Sequence, residues 1–352
     1  MDLSIAAILA QDGITSGAIY ALLALALVLV FSVTRIIFIP QGEFVAFGAL
    51  TMAALQSHKF PQSASLTLAL GCLVFLQQAV ATIRSVELRR NAKRALTFDS
   101  IKFILLPALL YYICLRFSAD SLPSALQVLL ALMVVAPMGP MIYRLAFQPL
   151  AEASTLVLLI VSVSVHFVLI GLGLLMFGAE GSRATPLSDS SFDIGSLSVS
   201  GQSVIVVAAA VALITALTLY VERTISGKAL RATAVNRLGA RLVGIAPAQA
   251  GRLAFTLAAM LGAVCGVLIA PLATMYYDSG FLIGLKGFVA AIVGGLTSYP
   301  LAAAGAILVG LLESYSSFWA SAFKEVIVFT LIIPVLLWRS FGNTRQHDEE
   351  GE

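Results

Sequence analysis

Long uncharged, mostly apolar runs recur along the chain at 13–34, 60–83, 121–143, 153–179, 194–221, 253–277 and 287–312. Shorter ones lie at 44–57, 103–115 and 326–338. A helix needs about 20 such residues to cross hydrocarbon. Strands could not account for runs of this length, and only helices and closed barrels satisfy their backbone in lipid. The pattern therefore predicts an all-α integral membrane protein with about 9–11 crossings, some of them short or broken.

The polar breaks orient these spans. Residues 84–102 hold six Lys or Arg against Glu87 and Asp99, and 222–252 hold six against Glu222. By contrast, 178–201 has Arg183 alone against Glu180, Asp189 and Asp193. Short loops rich in Lys and Arg stay on the cytoplasmic side, which places the first two inside and the third outside. Counting crossings from an external N-terminus satisfies all three and leaves Arg339 and Arg345 inside. The expected topology is multi-pass, N-terminus out and C-terminus in. No basic residue precedes Arg35, so the first apolar run reads as a retained span rather than a signal peptide.

Composition agrees and removes several function classes. Of 352 residues, 60% are hydrophobic and 11% charged, against roughly 25% charged in a soluble domain, so the lipid bilayer is the expected surrounding. No basic run is interleaved with aromatics, so no nucleic-acid partner is expected. Cys72, Cys114 and Cys265 lie apart in apolar runs, and His58, His166 and His347 are scattered. No metal site is expected. No nucleophile–base–acid set and no phosphate-binding GxxxxGK[ST] occurs, so the chain reads as no enzyme, with no cofactor of its own.

Three stretches carry candidate chemistry. In 13–50, Gly17, Ala18 and Ala21 suit close helix contact. Pro40, Gln41 and Gly42 interrupt the helix, with Glu43 following near a membrane edge. An acid so placed faces a polar cavity or a cation, and Arg35 is the nearest candidate partner. Tyr20, Gln41 and Glu43 are the polar groups expected along a path. In 286–317, Gly294, Gly295 and Pro300 split a long run into two short helices at about 286–297 and 301–316, either as a re-entrant break or as an ordinary turn. Glu313 there is either a path residue or the partner of Lys324. The third stretch, 228–242, reads as a basic helix within the 222–252 loop. It could reflect orientation alone, lie on anionic lipid, or dock into a protein groove, which its small residues suit best.

These stretches carry a resemblance. "DGITSGAIYALLALALVLVFSVTRII" with "QGEFVAFGA" resembles the opening of the LivH-type permeases of branched-chain amino-acid ABC transporters. "YRLAFQPL" (143–150), "GKALRATAVNRLGARLVGI" (227–245) and the segment from "GLKGFVAAIVGG" through "FKEVIVFTLIIPVLLWRS" resemble further family segments, in the family's order. Three features depart from it. The family's "INFAHGE" is here "IFIPQGE", with Phe38, Pro40 and Gln41 for Asn, Ala and His. Gln148 replaces an Arg. Residues from about 60 to 120 stand as a two-span insertion in what is otherwise a single permease domain over 1–352.

The resemblance implies an ABC-importer permease in a bacterial inner membrane. Its partners would be a homologous second permease, two cytosolic ATP-binding subunits that hold ATP and Mg, and a periplasmic solute-binding protein. The solute would be a branched-chain amino acid or a related small polar molecule such as another amino acid, urea or a short amide. The 222–252 loop would couple to the ATPase through Lys228, Arg231, Ala232, Asn236, Arg237, Arg241 and Gly244. The path would include Tyr20, Gln41, Glu43, Gly294, Gly295 and Glu313. The alternative is an H⁺- or Na⁺-coupled secondary transporter using Glu43 or Glu313.

Overall fold

A computed structural model describes residues 3–84, 101–117, 122–194, 197–296 and 298–337. Most of the basic loop at 84–102 and the acidic tail lie outside the described residues. The chain opens with α1 (Leu3–Thr34) and α2 (Gln41–Gln56), then α3 (Ser63–Arg84) and α4 (Leu106–Phe117). α5 (Ser124–Val135) and α6 (Met138–Ile142) run on as one span bent at Pro137, which has no N–H to continue the helical ladder. α7 (Thr155–Phe177) leads to an antiparallel hairpin, β1 (Ser191–Ile194) with β2 (Leu197–Ser200). Then follow α8 (Gly201–Arg223), the short α9 (Ile225–Val235) and α10 (Arg237–Leu242), and α11 (Pro247–Ile269). α12 (Ser279–Val293), α13 (Tyr299–Trp319) and α14 (Lys324–Thr330) complete it. Among the described residues, 7 spans are long and apolar enough to cross a membrane, and Phe103–Phe117 and Ser279–Val293 are shorter apolar helices.

Side chains set the helix ends. Ser154, Ser200, Thr224 and Asn236 accept hydrogen bonds from backbone N–H groups in the first turns of α7, α8, α9 and α10. Pro247 and Pro300 occupy first-turn positions of α11 and α13, where a missing N–H costs nothing.

α1 is apolar all round, and every residue from Ala18 to Val30 is buried, as such a helix requires. It is the central post, packed along α13, α11, α12 and α8. α13 runs antiparallel to it at close range. Ser314 Oγ donates to the Leu9 carbonyl (2.7 Å) and Tyr315 OH to that of Ala6 (3.1 Å). α2 is buried over almost its whole length between α11, α12 and α5.

α3 and α4 pack on each other and on α5, and the Thr67 hydroxyl donates to the Val134 carbonyl (2.8 Å). Their other faces expose Leu73, Leu76, Leu109, Tyr112 and Leu115. This pair occupies most of the stretch read as an insertion.

Candidate translocation site

The break after α1 is built locally. Thr34 Oγ1 donates to the Val30 carbonyl (2.7 Å) and accepts from Ile36 N–H (3.3 Å), while Arg35 sits at φ 60°. Residues 35–38 then run without helical structure, and Ile39 N–H donates to Ser162 Oγ on α7 (2.9 Å). Phe38 anchors the strip, 4.7 Å from the Phe255 ring centroid and 5.8 Å from those of Phe44 and Phe147.

α2 begins against α7, and Glu43 in its first turn meets His166. Glu43 Oε1 lies 2.7 Å from His166 Nδ1, with both side chains buried. This corrects one expectation: Glu43 pairs with His166 rather than with Arg35, whose exposed guanidinium lies 5.9 Å from the Phe31 ring. His166 is about 17 Å along α7 at 1.5 Å per residue, so the pair sits beside the middle of that helix. Gln41 faces elsewhere, donating through Nε2 to the Ala258 carbonyl of α11 (2.9 Å). Gln41 Oε1 and Glu43 Oε2 are buried and have no hydrogen-bond partner among the described residues. Beside His166 lies a cavity of about 520 Å³, lined by Ile39, Val163, Phe167, Ile170, Asp278 and Phe281 among others.

Tyr20 and Glu313 meet in a second polar cluster. Tyr20 OH donates to Glu313 Oε2 (2.5 Å), and Lys286 Nζ contacts Glu313 Oε1 (2.5 Å) and Glu325 Oε1 (3.2 Å). Glu313 therefore pairs with Lys286, not Lys324. Lys324 lines the same cavity as Glu313 without a bond to it among the described residues. Lys286 is a functional candidate that the sequence reading missed. A buried lysine in an apolar helix must find a carboxylate, so its position alone was a usable signal. The structure thus brings Tyr20 to Glu313, while Gln41 and Glu43 turn to different helices, and no hydrogen bond among the described residues joins the two clusters.

Gly294 and Gly295 form the turn between α12 and α13. A Cβ on Gly294 would lie 2.5 Å from Ala302 N, and Gly295 sits at φ 72°. α12 begins at Ser279 rather than near 286, so the first of the two short helices is longer than expected on its N-terminal side.

The 228–242 stretch is two helices, not one. Asn236 takes extended backbone, ends α9 and caps α10 by accepting from Gly239 N–H (2.8 Å). Arg237 donates to the Ala151 carbonyl (3.0 Å), and Arg241 pairs with Glu152 (3.1 Å), both ahead of α7. Lys228 and Arg231 are exposed, Ala232 is half-buried, and Gly244 turns the chain at φ 85°. The sequence reading stressed small residues here. The structure shows a bulkier feature: Val235 (86%), Leu238 (67%), Leu242 (81%) and Val243 (74%) stand exposed around the basic groups.

The fold is a helical bundle with one short hairpin among the described residues, and its long apolar spans and broken helices are those of an integral membrane protein. The family model described as "Branched-chain amino acid transport system / permease component" matches residues 9–336, and the chain belongs to that family. The high-affinity branched-chain amino acid transport system permease protein BraD of Pseudomonas aeruginosa is 25% identical over 94% of this chain and 93% of its own. LivH of Salmonella typhimurium, of the same description, is 30% identical over 59% of this chain and 70% of its own. A probable LivH of Methanocaldococcus jannaschii is 27% identical over 60% and 72%. No solved structure matches.

Proposed function

We propose that this chain is the membrane subunit of an ABC importer in a bacterial inner membrane, passing branched-chain amino acids released by a periplasmic binding protein. The observation that carries this reading is the family match over residues 9–336. The broken helices support it, because interrupted backbone lining a cavity suits a solute path. ATP and Mg would be held by two separate cytosolic subunits, and a homologous permease would complete the path. The ion-coupled alternative would rest on Glu43, engaged by His166, or on Glu313, engaged by Lys286 and Tyr20, and it predicts uptake that does not need ATP.

α9 and α10 are the docking element for the ATPase. Their buried side, with Leu230, Thr233 and Ala240, faces the bundle. The exposed Val235, Leu238, Leu242 and Val243 remain to fill a groove, as buried apolar anchors do in protein interfaces. Lys228, Arg231 and Arg241 supply charged contacts at its rim. The double variant Leu238→Asp/Leu242→Asp is expected to lose at least about tenfold of the ATPase subunit in co-purification, the scale of one or two truncated anchors. Co-purification at the parent level would remove the docking role.

The topology is N-terminus out and C-terminus in. With the native cysteines replaced, Asp189→Cys should react with an impermeant thiol reagent in whole cells, and Leu242→Cys only after lysis. The opposite pattern would reverse the orientation. The functional test is leucine uptake in vesicles containing the chain with its partner subunits and binding protein. Uptake that ignores ATP would overturn the importer reading.

A further inference from the structure

We infer that the cavity beside His166 is a station for an amino-acid zwitterion with an aliphatic side chain, with His166 as its carboxylate-binding donor. This rests on the transport reading above and names where the solute is held.

The argument begins with the buried pair. His166 Nδ1 and Glu43 Oε1 are 2.7 Å apart and both side chains are almost fully enclosed. An unbalanced charge there is costly. Two arrangements are electroneutral. In one, an imidazolium faces a carboxylate. In the other, a protonated Glu43 donates to Nδ1. Both leave the hydrogen on Nε2. His166 lines the cavity, and among the described residues nothing is hydrogen-bonded to Nε2. The pair therefore presents one N–H donor, held in place by Glu43 and by the Phe281 ring 4.5 Å away.

The rest of the cavity supplies the complement. Asp278 is exposed, lines the same space and makes no hydrogen bond as the cap of α12. Ile39, Val163, Ile170 and Leu282 are apolar walls. A volume of about 520 Å³ falls within the range of small-molecule sites. A carboxylate on His166 Nε2–H, an ammonium on Asp278 and a branched hydrocarbon on the walls satisfy these groups; Tyr277 and Ser279 also line the space, and Ser279 Oγ already accepts from the Tyr276 N–H. A neutral solute such as urea leaves the walls unfilled, and an apolar one leaves both polar groups unpaired, a penalty that sharpens selection.

The test is protection of a reporter thiol in the full transporter, assembled with its partner subunits in nanodiscs. Ile170→Cys, in a chain without its three native cysteines, is labelled with a polar thiol reagent. L-Leucine should slow labelling at least threefold. 4-Methylpentanoate, which lacks the ammonium, and 3-methylbutylamine, which lacks the carboxylate, should not. Adding His166→Phe should abolish protection, whereas His166→Gln, which keeps an N–H donor, should retain part of it. A complex that takes up leucine while its labelling rate ignores leucine would overturn the station. Protection without uptake would keep the station and sink the transport reading. Protection by the two single-charge analogues equal to that by leucine would reduce the site to an apolar crevice and overturn the zwitterion assignment.

Discussion

Lys286→Met should leave the transporter severely destabilised. The lysine is 5% exposed and lies against Glu313 and Glu325, with Tyr20 donating to the same Glu313 carboxylate. Through this cluster α12 is tied to α1, α13 and α14. Methionine conserves length and apolar volume but leaves two carboxylates without their cation. Removing one partner of a buried ion pair costs about 3–5 kcal/mol, a large share of a typical folding free energy of about 5–15 kcal/mol. The measurement is the midpoint of thermal unfolding of the purified complex, with yield in the membrane as a second readout. The triple variant Lys286→Met, Glu313→Gln, Glu325→Gln removes all three charges and should recover most of the loss, since neutral amides can still hydrogen-bond to Tyr20. A single variant that melts within about 1 °C of the parent, where a shift of several degrees is expected, would mean the cluster does not hold these helices.

That cluster also marks the boundary of what the chain discloses by its order. Span lengths, the break at Pro40 and the turn at Gly294–Gly295 are legible, because they depend on local backbone chemistry and on the thickness of hydrocarbon. Pairing is not. Sequence distance pointed Glu43 to Arg35 and Glu313 to Lys324. The structure instead uses His166, 123 positions from Glu43, and Lys286, 27 positions from Glu313. Which groups meet depends on how apolar helices face one another. Lipid and protein interior are both apolar, so a helix such as α1 carries no stripe that says which side is inward. The departures from the family motif show the same limit. Position 41 holds glutamine where the resembling motif has histidine, and the fold sets an imidazole from α7 beside the same glutamate. The docking loop was legible as basic and helical. Its exposed Val235, Leu238, Leu242 and Val243 were passed over because apolar residues among basic ones read equally well as a face turned to the bundle.

Gly42→Ala should abolish uptake, and for a reason more severe than its single methyl group suggests. At this point the first turns of α2 and α12 cross with their backbones in contact. A Cβ on Gly42 would lie 1.9 Å from the Gly280 carbonyl oxygen, and one on Gly280 2.2 Å from that of Gly42. Both obstacles are backbone, so no rotamer change relieves them, and one helix must move off the other. The neighbours of Gly42 resist such movement. Gln41 is fastened to the Ala258 carbonyl and Glu43 to His166. A shift of α2 would therefore pull apart the pair that lines the cavity, while a shift of α12 would displace Asp278 and Phe281 on its other wall. Forced overpacking of this kind costs about 1–3 kcal/mol or more, enough to lower the folded fraction. The matched control is Gly171→Ala on α7, where a Cβ would meet nothing within 4 Å. That change should be silent or stabilising by about 0.5–1 kcal/mol, since alanine suits a helix interior better. Both variants are compared for membrane yield, co-purified ATPase and leucine uptake. If Gly42→Ala transports at the parent rate, the two helices are not in backbone contact there, and the cavity does not depend on that crossing.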